Sequence, residues 1–170
     1  MRIIALVLLV CALIGTWFGY IADRPIIDLG GTVFKVSFLG FILILIATDV
    51  FEQEIVTVDT ISGAICIYLL IGLMWAELYS LIEFIQPGSF TIQKFLPDAP
   101  GYNPQHQNPL FLYYSFVTLT TLGYGDITPL SPPARAFSFL EAVVGQIFVA
   151  VMIARLVGLH IAHSSKKDSA

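Results

Sequence analysis

Apolar residues run almost unbroken through four stretches of the chain, residues 3–21, 33–51, 58–85 and 132–161. A helix needs about 20 residues to cross the hydrocarbon of a bilayer, with a range of about 17–25. The first two stretches are minimal spans. The last two have length left over for tilt or for projecting beyond the membrane. Polar positions between them read as breaks: Asp23-Arg24-Pro25 and Gly30-Gly31 after the first stretch, Phe51-Glu52-Gln53-Glu54 after the second. Thr57 is a candidate N-cap for the third. Ser131-Pro132 supplies an N-cap and a proline at the first helical position of the fourth.

Residues 86–108 follow no such pattern. Pro87, Pro97, Pro100 and Pro104, with Gly88 and Gly101, make them an irregular loop outside the membrane. Asn108-Pro109 then opens a short apolar run, predicted as a helix over residues 109–120. That is too short to span and suits a re-entrant helix. Backbone at such a depth is tolerated only where protein or water covers it, so the pattern asks for a pore or a cavity.

Composition narrows the class. Of 170 residues, 57% are hydrophobic and 12% charged, and the mean hydropathy is +0.86. Soluble domains are about 45–50% apolar and about 25% charged. A soluble globular protein, a disordered chain and a nucleic-acid binder are excluded. An integral membrane protein with little mass outside the bilayer remains. The net charge of -4 names no partner, and no block of like charge extends beyond Lys166-Lys167. Cys11 and Cys66 lie inside apolar runs and suggest neither a disulfide framework nor a metal site. Met1-Arg2 ahead of an apolar run is reminiscent of a signal peptide. That run exceeds a typical h-region and no small-x-small site follows, so a retained helix is expected. Basic residues leave the orientation open. With both ends inside, Arg2, Arg155, Lys166 and Lys167 stand against Arg24, Lys35, Lys94 and Arg135.

The short run leads into Thr118-Leu119-Thr120-Thr121-Leu122-Gly123-Tyr124-Gly125-Asp126. Here the chain resembles the potassium-channel pore family, whose filter reads Thr-Val-Gly-Tyr-Gly and is followed by Asp. Leu122 stands at the Val position. The resemblance covers helix, outer loop, pore helix, filter and helix, about two-thirds of the chain. Gly123 and Gly125 permit the left-handed dihedrals that a carbonyl-lined strand demands. Four copies of such a loop make rings of carbonyls that replace the water around K⁺. The resemblance implies that the carbonyls of Thr121, Leu122, Gly123 and Tyr124, with the Thr121 hydroxyl, are the ion's ligands. Thr118, Gly125 and Asp126 would support the filter, and Tyr124 would brace against Tyr113 or Tyr114. The pore helix would aim the negative end of its dipole at the pore centre. The filter opens outward in the family, which places the 86–108 loop outside and both termini in the cytoplasm.

In the last helix, Gly145 reads either as a bending point or as a close-packing residue. Gln146, Val149, Ile153 and Val157 share one face. That face is assigned to the cavity, where an apolar lining closes by dewetting; the bland alternative is a lipid or helix-contact stripe. Glu77 and Glu141 are acids inside apolar helices. Many family members place a Glu on the pore helix behind the filter, where this chain has Val117. Glu77 or Glu141 would supply that missing hydrogen bonding, or would pair with a hydroxyl or with Arg135 for packing reasons.

No ladder of Arg or Lys suits the first two spans to voltage sensing. The nine residues after the last span are too few for a nucleotide- or Ca²⁺-binding domain. His160 and His163 read as solvated interfacial residues rather than pH sensors, and Asp49, Glu52 and Glu54 as an acidic patch at the inner mouth. The expected architecture is an all-α membrane protein with four transmembrane helices per subunit, a re-entrant pore helix and a selectivity filter, assembled as a tetrameric channel. Residues 1–54 form an N-terminal helix pair. Residues 55–165 form the pore domain, with outer helix 58–85, loop 86–108, pore helix 109–120, filter 121–126 and inner helix 132–161. Residues 162–170 form a short cytoplasmic tail. The expected function is passive K⁺ conduction by a homotetramer in the cell membrane, with lipid and K⁺ as partners, no cofactor, no nucleic acid and no enzymatic chemistry. The rivals are a weakly selective cation channel and a non-conducting regulatory subunit.

Overall fold

The structure, a computed structural model, describes residues 25–53, 55–91 and 108–168. The predicted first span at residues 3–21 and most of the outer loop lie outside the described residues, as do the side chains of Glu54, His160 and His163. The described chain forms four helices: α1 Pro25–Glu52, α2 Val58–Ile85, α3 Asn108–Leu119 and α4 Pro132–Asp168. Three of them contain stretches long and apolar enough to cross a membrane, Leu29–Glu52, Val58–Ile85 and Pro132–Leu159. The apolar run of α3, Pro109–Leu119, is too short to do so.

Two boundaries differ by more than one residue from the sequence expectation. Helix α1 starts at Pro25 rather than at residue 33 and passes straight through Gly30-Gly31. Proline suits a first helical position, whose N–H has no intrahelical partner. Each glycine costs a helix about 1 kcal/mol. In an apolar setting, breaking the helix would cost more, because its backbone groups would lose their partners. Helix α4 continues to Asp168 rather than ending at 161, so the expected tail is helical that far. Residues 162–168 contain neither Pro nor Gly to stop it.

The caps fix the other ends. The Thr57 hydroxyl accepts from Thr60 N at 3.2 Å and the Thr60 hydroxyl accepts from Thr57 N at 3.2 Å, a reciprocal box that starts α2. The Ser131 hydroxyl accepts from Ala134 N at 3.3 Å at the start of α4. Beyond α2, the Glu83 carboxylate accepts from Gly88 N (2.8 Å) and Phe90 N (3.2 Å), which shapes the turn through Gly88 at φ 83°. That turn pairs with the chain following residue 126: Thr91 N donates to Thr128 O (3.1 Å) and Leu130 N to Ser89 O (2.7 Å).

The core lies between α2, α3 and α4, with α1 packed on the outside of α2. Edge-to-face aromatic contacts dominate it. Tyr79 meets Tyr114 at 5.0 Å and Phe90 at 5.5 Å, Phe90 meets Phe111 at 5.1 Å, and Trp75 meets Phe137 at 5.9 Å. The result is a short helix, α3, wedged between two long ones with its carboxyl end held at a fixed depth.

Candidate selectivity filter and its supports

The chain leaves α3 through a tight backbone hook. Thr121 N donates to Thr118 O (2.9 Å), and Leu122 N (2.9 Å) and Gly123 N (3.2 Å) both donate to Val117 O. Thr121, Gly123 and Gly125 then take positive φ, at 60°, 56° and 76°. Left-handed dihedrals at alternate residues turn successive carbonyls towards one side of a strand, and glycine adopts them at little cost. Thr121 does so too, although a β-branched residue pays about 1–2 kcal/mol for it. Its hydroxyl accepts a hydrogen bond from Gln146 Nε2 at 3.3 Å. Residues 120–125 are all exposed on the single chain, with Leu122 58% and Tyr124 66% accessible.

Of the two tyrosines named as braces, Tyr113 stacks on Tyr124, with ring centroids 6.5 Å apart and planes 14° from parallel. Its hydroxyl donates to Asp126 Oδ2 at 2.5 Å, while Asp126 Oδ1 accepts from Ile127 N at 2.9 Å. The Tyr113 hydrogen bond, helped by the Ile127 N–H, holds the Asp126 carboxyl below its usual value. The same bond pushes the Tyr113 phenol up to about 12. Tyr114 turns the other way. It is buried, meets Tyr79 and Phe90, and shares a hydrogen bond with Ser138 on α4 at 2.7 Å.

The two acids separate as well. Glu141 is fully buried behind α3 and accepts from the hydroxyls of Tyr79 on α2 and Ser115 on α3 (2.5 Å), so it joins three helices. Ser115 Oγ also lies 2.8 Å from Gly72 O. Glu77 is not brought to the filter. It forms an ion pair with Lys35 of α1 at 3.0 Å, because a lysine inside a membrane helix requires a counter-charge. Arg135 pairs with neither acid and donates to Pro129 O at 3.3 Å.

On α4, an added Cβ at Gly145 would lie 2.3 Å from Leu119 O, the carbonyl that ends α3. The glycine therefore sits in a close helix crossing. Val149, Ile153 and Val157 are 40%, 59% and 52% exposed among the described residues of the single chain. Reasoning from sequence missed Tyr79, Ser115 and Arg155 as partners. The signal for Arg155 was present, since a lone cation in an apolar helix demands one. No cluster of three or more His, Cys, Asp or Glu suited to a metal occurs among the described residues.

A family model described as an ion channel matches residues 102–160. Protein LctB of Bacillus caldotenax is 30% identical over 124 residues, which cover 70% of this chain and 86% of that protein. The two pore potassium channel c of Oryza sativa subsp. japonica is 38% identical over 71 residues, 42% of this chain. The chain belongs to the potassium channel pore-domain family. The chain is also similar to potassium channel K1 of Plasmodium berghei, at 33% identity over 63 residues, 36% of this chain. The chain spans 14% of the rice relative's length and 3% of the Plasmodium one. No solved structure gives a significant match. With three apolar, membrane-capable helices among the described residues, the chain is a multi-pass membrane protein of an ion-channel family.

Proposed function

We propose that four copies of the chain surround a common axis and conduct K⁺ passively, with the carbonyls of residues 121–124 and the Thr121 hydroxyl replacing the ion's water. The observation that carries the reading is the alternation of positive φ at residues 121, 123 and 125 directly beyond the carboxyl end of α3. That helix end carries roughly half a negative charge, which favours a cation in front of it. One copy cannot encircle an ion. The bare filter strand and an exposed apolar face on α4, including Phe139 at 68% and Ile147 at 56%, suit burial against sister subunits. Asp126 adds negative potential at the outer mouth, and Val149, Ile153 and Val157 line the inner cavity. The channel sits in the cell membrane with both termini in the cytoplasm.

The test is K⁺ flux through purified protein in liposomes, with reversal potentials in K⁺ and Na⁺ gradients and Gly123→Ala as control. A Cβ at φ 56° strains the filter in every subunit. We expect a K⁺-selective flux that the substitution abolishes. Equal K⁺ and Na⁺ permeability would give the weakly selective channel, with Leu122 at the Val position as its cause. No flux from a well-folded tetramer would give the non-conducting subunit.

A further inference from the structure

Arg155 is a cation on α4, near the end of the apolar span, and its guanidinium caps another helix. Nη1 donates to Val50 O at 2.6 Å, and Nη2 donates to Phe51 O at 2.8 Å and to Gln53 O at 2.9 Å. Its carbon lies 4.9 Å from the Phe51 ring centroid. The last carbonyls of a helix have no intrahelical donor and carry the negative end of its dipole. A guanidinium presents several donors in a fixed fork and stacks on aromatic faces. One side chain thus satisfies the end of α1 from more than 100 residues away in sequence.

The attachment lies at a telling place on α4. The upper half of that helix is fixed: Glu141 is bonded to Tyr79 and Ser115, Gly145 abuts Leu119, and Phe148 stacks on Tyr68 at 5.9 Å. Below that, Met152 is buried and Arg155 reaches α1, while residues 149–151, 153 and 154 are exposed. At about 100° per residue, Arg155 points about 160–200° away from Ile153 and Val157. A pull at Arg155 therefore draws those two residues away from the side they present.

We propose that Arg155 is a gate-positioning residue, a latch that ties the lower inner helix to the carboxyl end of α1 and holds the apolar constriction of Val149, Ile153 and Val157 open. The proposal rests on the reading that these three residues line the cavity. With the latch released, the lower half of α4 is free to move towards the axis, where apolar side chains meet and the pore dewets. Helix α1 then serves as a strut on the outside of α2, against which the inner helix is braced.

The experiment is single-channel recording of wild type, Arg155→Gln and Arg155→Lys in planar bilayers. For Arg155→Gln we expect open probability to fall about tenfold, with unitary conductance and the K⁺/Na⁺ reversal potential unchanged. Arg155→Lys keeps the charge but reaches fewer of the three carbonyls, so it falls between. A merely structural arginine would lower the amount of assembled channel and leave the open probability of each channel alone. If Arg155→Gln fails to assemble, Phe51→Leu removes the ring beneath the guanidinium and carries the same expectation at smaller size. Wild-type conduction with open probability unchanged in the variants overturns the latch and spares the channel reading. A silent wild type overturns both.

Discussion

Replacing Gly145 by Ala sets the two readings of this glycine against each other. The new Cβ would stand 2.3 Å from Leu119 O, 3.0 Å from Leu119 Cδ1 and 3.1 Å from Leu119 C. Comfortable contact between such atoms begins near 3.4 Å, so α3 and α4 must separate by about 1 Å. A rotamer change cannot relieve this, because the obstacle is main chain. Overpacking of this kind costs about 1–3 kcal/mol per chain. The displaced carbonyl is the last of α3, two residues ahead of Thr121, and Tyr68 donates to it at 3.4 Å. The strain is therefore delivered to the base of the filter. Gly158 is the control, since an added Cβ there meets nothing within 4 Å among the described residues. Alanine at that site should stabilise the helix by about 0.5–1 kcal/mol. Thermal unfolding in detergent and reversal potentials in K⁺/Na⁺ gradients read both effects. We expect Gly145→Ala to unfold earlier and to lose selectivity, and Gly158→Ala to do neither. A Gly145→Ala protein as stable and as selective as wild type, but altered in opening, would refute close packing and establish bending as the glycine's purpose.

Glu141→Ala takes the carboxylate acceptor from the buried Tyr79 hydroxyl, while Ser115 keeps the Gly72 carbonyl, and should cost about 1–3 kcal/mol with early loss of K⁺ current. Glu77→Gln, which faces Lys35, should leave K⁺ selectivity unchanged; matching currents from both variants and wild type would remove any acid from behind the filter. Asp126 has a lowered folded pKa, so its support is complete above the ordinary value of 3.8 and is lost only as external pH falls through the lower folded value. Current should therefore survive external acidification to about pH 5, and Tyr113→Phe should move the acid midpoint upwards towards 3.8, as a titration of current against external pH would record.

Much of this architecture was legible in the chain because length and apolarity alone decide which helices cross a bilayer. The short helix α3 was legible for the same reason, being apolar yet too brief to span, and Thr57 and Ser131 marked starts through their side-chain chemistry. The limits have equally definite causes. Gly30-Gly31 reads as a break by propensity, but a helix in an apolar setting keeps its hydrogen bonds first. Tyr113 and Tyr114 are adjacent, and a helix turns their side chains about 100° apart, so only the three-dimensional arrangement separates the ring that meets Tyr124 from the one that meets Tyr79. The partners of Arg155 are main-chain oxygens, which leave no trace in residue type. The partners of Glu141 are two hydroxyls on different helices, and no spacing rule connects residues 79, 115 and 141.

The Tyr79–Glu141–Ser115 junction also bears on how the protein is made. A ribosome delivers residues 79 and 115 before residue 141. Hydroxyl groups wait in lipid at modest expense, whereas a carboxylate does not. The most demanding side chain of the set thus arrives last, when both of its donors have already been synthesised. A chain with the acid on α2 and a hydroxyl on α4 would form the same junction, but would have to insert its worst group alone.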